Sequence, residues 1–257
     1  MVTNQQVISA AKSLGIEEVG FAPHNGKSAV VCLFPYFSGY IDGANLSCYT
    51  YGEDYHTIVR QKLTALKDKL GLCATVHVDI GEPCDKFLAV QSGLCYLGDN
   101  SLAYHDRFGS YFFIGYLLCD EKFHFGAPMA KSCLHCKACE KACPGGAISK
   151  GKVNPQKCAS AISQKKGELN KNEIKILKKG GLVFGCDICQ KVCPLNRQTA
   201  APMAEFTKNI MSRISAEDVS LSNRAFLRAY QNRAFSWRGR GVLARNLSIL
   251  KFLSGMD

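Results

Sequence analysis

Apolar residues in the first half of the chain recur with both helical and strand periods. Those between Val7 and Leu14 have helical spacing and follow a Thr3–Gln6 capping-box pattern, which predicts a first helix. Apolar runs predict strands at 18–22, 28–34, 72–79 and 110–120, and helices at 54–70 and 83–93. This alternation predicts an α/β layer domain over residues 1–125.

The pattern changes at residue 126, where cysteine-rich loops replace the regular alternation. Cys133, Cys136, Cys139 and Cys143 form a C-x2-C-x2-C-x3-C-P run, and Cys186, Cys189 and Cys193 form a shorter one. In the bacterial ferredoxin arrangement, the first three cysteines of a run hold one four-iron cluster and the fourth binds the other cluster. The spacing therefore predicts a first cluster on Cys133, Cys136, Cys139 and Cys193, and a second on Cys143, Cys186 and Cys189 with one ligand missing.

Cys158 is the remaining cysteine between the two runs, and we predict that it is the eighth ligand. The alternative is a three-cysteine site with an open iron. Tetrahedral zinc is less favoured, because thiolate zinc sites use two C-x2-C pairs and do not need the x3-C-P ending. The other cysteines, which stand outside these runs, are expected to be small core residues: Cys32, Cys48, Cys73, Cys84, Cys95 and Cys119.

Composition and charge restrict the class of protein. The 257 residues are 47% hydrophobic, as in a globular protein, and the formal net charge is +11. A basic surface favours a polyanionic partner such as RNA, although a merely soluble basic protein is an equal alternative. The N-terminus lacks a secretory signal, and no apolar run reaches the roughly 20 residues of a membrane span. We expect a soluble, cytoplasmic protein in a reducing compartment, with no membrane partner.

The segment after residue 203 is expected to be helical and rich in arginine. Its arginines are Arg224, Arg228, Arg233, Arg238, Arg240 and Arg245. The predicted fold class is thus α+β / α/β, with an N-terminal domain (1–125), a ferredoxin-like double [4Fe-4S] domain (126–203) and a short helical C-terminal segment (204–257). No Gly-rich dinucleotide turn or P-loop is present in the sequence to explain the front domain.

A series of motifs resembles the epoxyqueuosine reductase family. They are "SAVVCLFPY" (28–36), "SCYTYGEDYH" (47–56), "VDIGEP" (78–83), "SGLCYLGDNSL" (92–102) and "GSYFFIGYLL" (109–118), followed by the cysteine runs. Reductive dehalogenases are related to that family. The resemblance implies a cobalamin in the front domain beside one of two [4Fe-4S] clusters, and reduction of an epoxide on a modified base in a tRNA anticodon loop. It also implies a lone ligand cysteine at the place of Cys158.

The resemblance implies site residues as well. Asp79 matches the acid that protonates the substrate oxygen, for which we expect a pKa raised by partial burial; the alternative is a solvated or capping aspartate. The predicted cobalamin contacts are Tyr49, Gly52, Tyr55, Gly98, Asn100, Ser101, Ser110, Ser160 and Ser163, each of which is equally compatible with a turn, core or capping role.

The sequence also departs from the family. Asp99 stands where family members often have lysine, and the chain resembles a short form without the C-terminal helical repeats. The expected partners are a tRNA anticodon loop and an external low-potential electron donor such as ferredoxin or flavodoxin. The alternatives are a corrinoid reductase of a small molecule and a ferredoxin-type electron-transfer protein.

Overall fold

A computed structural model describes residues 2–79 and 84–250 of the chain. The protein forms two compact units, each assembled from separated stretches of sequence. The first unit comprises Met1–Phe37, Tyr55–His135 and Leu195–Glu205, and the second comprises Ser38–Asp54, Cys136–Pro194 and Phe206–Asp257. The functional division at residues 125 and 203 stays a prediction.

The first unit contains the predicted alternation of helices and strands. In the described residues its elements are α1 (Asn4–Ser13), β1 (Glu18–His24), β2 (Lys27–Pro35), α2 (Tyr55–Leu70), β3 (Ala74–Val78), α3 (Asp85–Gln91), β4 (Tyr96–Leu97), β5 (Ala103–Tyr104) and β6 (Phe112–Cys119). The capping box between Thr3 and Gln6 is present at the start of α1, as predicted.

The main sheet of the first unit has the strand order β1-β2-β6-β3. All three pairings are antiparallel, so this unit has the α+β form of the predicted fold class. The turn between β1 and β2 is Asn25-Gly26, with φ values of 46° and 76°. Both angles are positive, as a two-residue hairpin turn requires, and Asn-Gly is the pair that adopts them most readily.

Helices cover both faces of this sheet. On one face, Leu88 of α3 belongs to the same buried cluster as Val31 and Leu33 of β2. On the other face, α2 lies close to β6, because a Cβ added to Gly115 would be 2.5 Å from Val59 Cγ1. This layering explains why β2 and β6 are almost wholly apolar. It also brings the start of α2 to the end of β3.

The second unit consists of short helices and one small hairpin. Its described elements are α4 (Ala138–Ala142), β7 (Ile148–Ser149), β8 (Lys152–Val153), α5 (Ala159–Ser163), α6 (Lys171–Gly180), α7 (Ile188–Lys191), α8 (Ala216–Ser220), α9 (Asn223–Tyr230) and α10 (Arg240–Ile249). Helix α4 packs against α7, and α5 packs against α6. The core beneath α5 and α6 includes Ile162, Ile176 and Leu177.

The cysteines outside the two runs divide into two groups. Cys32, Cys48, Cys95 and Cys119 are buried, as predicted, whereas Cys73 and Cys84 are exposed. The prediction of a core role was wrong for these two, because one precedes β3 and the other precedes α3, where the chain is at the surface. Among the residues that the structure describes, no helix is long and apolar enough to cross a membrane.

Candidate active site and cluster ligands

The predicted ligands of the second cluster lie in the second unit, on neighbouring elements. Cys143 ends α4, and its Sγ accepts a hydrogen bond from the Ala147 backbone N–H at 3.2 Å. Cys158 is the N-cap residue of α5. A Cβ added to Gly145 would be only 2.0 Å from the carbonyl oxygen of Lys157, so the turn after Cys143 lies against the residue before Cys158.

Electrostatics link the same thiols. Burial raises the pKa of Cys186 to about 11, and negative charge on Asp187, Cys158 and Cys143 adds to the increase. Cys143 and Cys158 are thus both within electrostatic reach of Cys186. Four-iron clusters bind thiolates, and a metal displaces such thiol protons on binding. The donor set fits an iron–sulfur cluster, and the role of Cys158 as the eighth ligand stays a prediction.

The first cysteine run has an unusual backbone. His135 and Lys137 are non-glycine residues with φ values of 49° and 58°. Such conformations cost of order 1 kcal/mol each and cluster at functional sites. Cys136, between them, is exposed, and Cys139 is a buried residue of α4.

Asp99 lies beside this first cysteine run. Its Oδ1 is 2.9 Å from His135 Nδ1. Ligand atoms of Asp99, Cys133 and His135 all lie within 4.8 Å of one another. An acidic side chain therefore lies next to a predicted cluster ligand at this position.

Asp187, between two cysteines of the second run, was missed by sequence reasoning. It is 6% exposed, and its carboxylate accepts hydrogen bonds from the Ser47 hydroxyl and, at 2.9 Å, from the Cys48 N–H. Ser47 N also donates to the Phe184 carbonyl at 2.9 Å. This carboxylate thus ties the ligand segment to residues 45–48, an outer-shell contact of the kind that orients metal ligands.

Asp79 stands at the end of β3, where the structure places it against the start of α2. Tyr55 Oη donates to Asp79 Oδ2 at 2.6 Å, and His56 Nε2 lies 3.3 Å from the same oxygen. Tyr55 is itself held by stacking on Phe113, with ring centroids 4.0 Å apart. The remainder of the "VDIGEP" motif, residues 80–83, lies outside the described residues.

The expected rise in the pKa of Asp79 was wrong. The hydrogen bond to His56 lowers the pKa of this carboxyl below its ordinary 3.8, burial opposes that effect, and the Tyr55 hydroxyl lowers the pKa further. The two partners outweigh desolvation because the Asp79 side chain remains 52% exposed. Asp79 is therefore a carboxylate at neutral pH.

A cavity of about 240 Å³ adjoins this carboxylate within the first unit. Its lining includes Asp79, Tyr55 and Ser110, the aromatic wall of Phe112 and Phe113, and a second acid, Asp85. Three predicted site residues thus come together on one cavity. A concave site with an apolar wall and a few convergent polar groups is the usual form of a small-ligand site.

Contacts within the fold account for several other predicted cobalamin contacts. A Cβ on Gly52 would be 2.8 Å from the Phe206 carbonyl oxygen, and one on Gly98 would be 2.5 Å from the Tyr104 ring. Asn100 donates to Tyr104 Oη at 2.9 Å. Packing explains these three residues without a ligand, and their contact with cobalamin stays a prediction.

The predicted serines and Tyr49 have different surroundings. Ser163 is fully buried, and its hydroxyl donates to the Ser160 carbonyl at 2.8 Å and accepts from Gly185 N at 2.9 Å. Ser101 has a left-handed φ of 58°, and its carbonyl accepts from Lys86 at 3.1 Å. Tyr49 is half-buried. Tyr55 and Ser110 alone among the nine predicted contacts line the Asp79 cavity.

Comparison with known proteins identifies the family to which this chain belongs. Residues 23–80 match the family model "Epoxyqueuosine reductase QueG, DUF1730", and residues 132–196 match that of a "4Fe-4S double cluster binding domain". The epoxyqueuosine reductase of Cyclobacterium marinum is 31% identical over 244 residues, covering 88% of this chain and 76% of the relative. The chain belongs to the epoxyqueuosine reductase family.

Other relatives of this reductase family extend the comparison. The epoxyqueuosine reductase of Listeria monocytogenes is 32% identical over 214 residues, which are 78% of this chain and 55% of that protein. The chain thus spans about half the length of such relatives. A crystal structure of epoxyqueuosine reductase with a tRNA-Tyr epoxyqueuosine-modified stem loop matches with a TM-score of 0.86 and 26% identity, covering 96% of this chain and 80% of that one.

A more distant likeness concerns the fold alone. A reductive dehalogenase structure linked to B12-dependent dehalogenation matches with a TM-score of 0.54 and 16% identity, covering 94% of this chain and 37% of that one.

Proposed function

We propose that this protein reduces the epoxide of epoxyqueuosine in a tRNA anticodon loop, as an oxidoreductase that uses two [4Fe-4S] clusters and cobalamin. The observation that carries the proposal is the Asp79–Tyr55–His56 group on a cavity of the front unit, in a chain that also has a double-cluster domain. Conversion of an epoxide to an alkene consumes two electrons and two protons, breaks both C–O bonds and releases the oxygen as water.

In this scheme, the residues of the chain bind the clusters and orient the substrate. The eight cysteines hold the clusters, and the cavity wall of Phe112 and Phe113 excludes water from the reacting carbons. The Asp79 carboxylate, fixed by Tyr55 and His56, accepts a hydrogen bond from the substrate and holds it in one position.

The proposed cobalamin, when bound, supplies a strongly reducing cobalt centre. Among the proposed contacts, Tyr55 and Ser110 would hold it in the first unit, because both line the Asp79 cavity. We keep Tyr49, Gly52, Gly98, Asn100, Ser101, Ser160 and Ser163 as proposed contacts, together with residues 1–125 as the cobalamin domain, 126–203 as the cluster domain and 204–257 as the C-terminal segment.

Binding of tRNA rests on the basic C-terminal segment. Arg233, Arg240 and Arg245 already donate to backbone carbonyls of the second unit, so they contribute to the fold. Arg224 and Arg228 are exposed on α9. These two arginines are the proposed phosphate contacts.

The proposal includes a cytoplasmic location and a low-potential ferredoxin or flavodoxin as electron donor. A corrinoid reductase of a small molecule and a ferredoxin-type electron-transfer protein are the alternatives, and the same experiment separates them.

The deciding experiment is anaerobic purification with added hydroxocobalamin, followed by optical and iron analysis and turnover of an epoxyqueuosine-containing anticodon stem-loop. The proposal predicts a retained corrin spectrum, about eight irons per chain and reduction of the RNA. Asp79→Asn should keep both cofactors and lose turnover. Clusters without corrin would favour the electron carrier, and corrin without RNA turnover would favour the small-molecule reductase.

A further inference from the structure

Trp237 is the single tryptophan of the chain, and it lies on the surface of the second unit. It belongs to a short 3₁₀ helix, Ala234–Arg238, and is 58% exposed. Phe235 of the same helix is fully buried and packs against the Tyr230 ring of α9, with ring centroids 5.8 Å apart. Phe235 therefore anchors this helix to the core, whereas the Trp237 ring lies outside it. Aromatic rings of this size usually contribute to a core or to an interface.

The Arg238 guanidinium covers one face of the Trp237 ring. Its carbon Cζ lies 3.5 Å from the ring centroid, which is van der Waals contact. The Arg238 Nε is buried and has no hydrogen-bond partner in the described part of the chain, so contact with the ring positions this end of the side chain. Because the tryptophan is more than half exposed although one face is covered, the opposite face of the ring is open to solvent.

The chain around this pair is strongly basic. Residues 219–250 contain six arginines and no aspartate or glutamate. Arg224 and Arg228 are exposed on α9, and Arg240, two residues after Arg238, donates from Nε to Asn223 Oδ1 at the start of α9 at 2.8 Å. An exposed aromatic ring is thus combined with several cations in one segment, which favours an anionic partner that also has flat apolar faces.

We propose that Trp237, backed by Arg238, is a stacking platform for an unpaired base of the anticodon loop. This inference rests on the proposed action on tRNA and names a contact for that same partner. Unpaired bases of RNA loops stack on aromatic rings and on guanidinium planes, because every base has a flat π-face. The open face of Trp237 receives the base, Arg238 supports the other face, and Arg224 and Arg228 neutralise phosphates of the same strand.

The electron donor is the other partner that a basic surface attracts when that donor is acidic. Arginine side chains are sufficient to pair with the carboxylates of a protein. An open indole face with a guanidinium behind it matches a flat base in addition to a negative charge. The observations therefore favour RNA, and docking of the donor is an outcome that the experiments distinguish.

The first test measures the affinity of the complete protein for the epoxyqueuosine stem-loop, by anisotropy of a labelled RNA at several salt concentrations. Trp237→Ala should weaken binding by about 5- to 150-fold, the usual effect of losing one stacked base. The slope of log K against log salt should stay the same, because the ring carries no charge. Trp237→Phe should keep part of the affinity. Phe125→Ala, which removes an exposed ring of the first unit, is the matched control and should bind as wild type.

The second test uses 2-aminopurine in place of each unmodified unpaired base of the loop in turn. Stacking on the indole should quench 2-aminopurine fluorescence at one position in the wild-type complex, and this quenching should disappear in Trp237→Ala. In turnover of the stem-loop, Trp237→Ala should raise KM and leave kcat unchanged, because the platform binds substrate and transition state equally. Quenching that is absent at every position, or that persists in Trp237→Ala, overturns the inference.

The outcomes separate this inference from the proposed function. If the wild-type protein reduces the stem-loop and Trp237→Ala binds it as tightly, the stacking platform alone fails. If the wild-type protein binds the stem-loop without reducing it, the proposed function fails, and the affinity of Trp237→Ala still decides the platform. If Trp237→Ala slows reduction of the clusters by flavodoxin and leaves RNA binding unchanged, the surface binds the electron donor and the inference is overturned.

Discussion

At the scale of single residues, Asp79 combines a strained backbone with a well-held side chain. Its φ is 61°, directly after β3, and such a conformation costs of order 1 kcal/mol or more outside glycine. Aspartate is among the residues that tolerate it. The result is that the carboxylate reaches both Tyr55 and His56 on α2.

Tyr55→Phe should raise the pKa of Asp79 toward its ordinary 3.8, because one of the donors that stabilise the carboxylate is removed. A lowered folded-state pKa stabilises the protein above the unfolded pKa, and this contribution disappears as the pH falls through the folded value. The variant should therefore lose less stability on acidification than wild type. Carboxyl NMR and acid unfolding measure both effects, and an unchanged Asp79 titration would contradict the assigned hydrogen bond.

Ser47→Ala should destabilise the second unit by about 1–3 kcal/mol, since the buried Asp187 carboxylate loses a donor and cannot find water in its place. Ser47 is 1% exposed. Urea unfolding measures the change. Ser220→Ala is the control, because that exposed hydroxyl bonds only the Glu217 carbonyl of its own helix. Equal midpoints for the two variants would rule out the proposed importance of the Asp187 contact.

At the scale of elements, the turn after α4 decides whether Cys158 can reach the second cluster. Gly145 allows the close approach of this turn to Lys157, and the N-cap position of Cys158 then starts α5. The neighbouring Gly146 has a φ of 58° and open space around it.

Gly145→Ala should prevent assembly of the second cluster and lower the iron content from about eight to about four per chain. The added methyl would lie 2.0 Å from the Lys157 carbonyl oxygen, so the turn must move away. Gly146→Ala is the matched control, with backbone strain of about 1 kcal/mol but no collision, and should keep its iron. Anaerobic iron analysis gives the result, and eight irons in Gly145→Ala would count against Cys158 as a ligand.

At the scale of the whole molecule, the two units divide the chemistry. The first unit contains Asp79, Asp85 and the cavity that they line. Seven of the eight predicted cluster ligands lie in the second unit. The chain's single tryptophan, Trp237, also lies in the second unit and is 58% exposed, with the Arg238 guanidinium 3.5 Å from its ring centroid. This residue makes RNA binding to that unit measurable by fluorescence.

Combined Arg224→Ala and Arg228→Ala substitution should weaken binding of the anticodon stem-loop and lower the slope of log K against log salt by about 2, or about 1 for each phosphate that the protein no longer neutralises. Quenching of Trp237 fluorescence at several salt concentrations measures both. Lys12→Ala, an exposed cation on α1, should change neither. An unchanged salt slope in the double variant would exclude these arginines as phosphate contacts.

The sequence by itself determined the elements of the front unit and predicted a double-cluster domain, which the family match over residues 132–196 confirms, because periodicity and cysteine spacing are local properties. The eight individual ligand cysteines stay a prediction. The helix that begins at the Thr3 capping box and the strands at 18–24 and 27–35 follow from such patterns. Only the tertiary structure decided the directions in which the pKa values of Asp79 and Asp85 are shifted. Asp79 is ionised because Tyr55 and His56, more than 20 residues away in the chain, meet it across the fold. Asp85 has the opposite tendency because its surroundings bury it beside that charge. The pKa of a side chain depends on the groups that lie close to it in the folded protein, and the sequence alone does not show which groups these are.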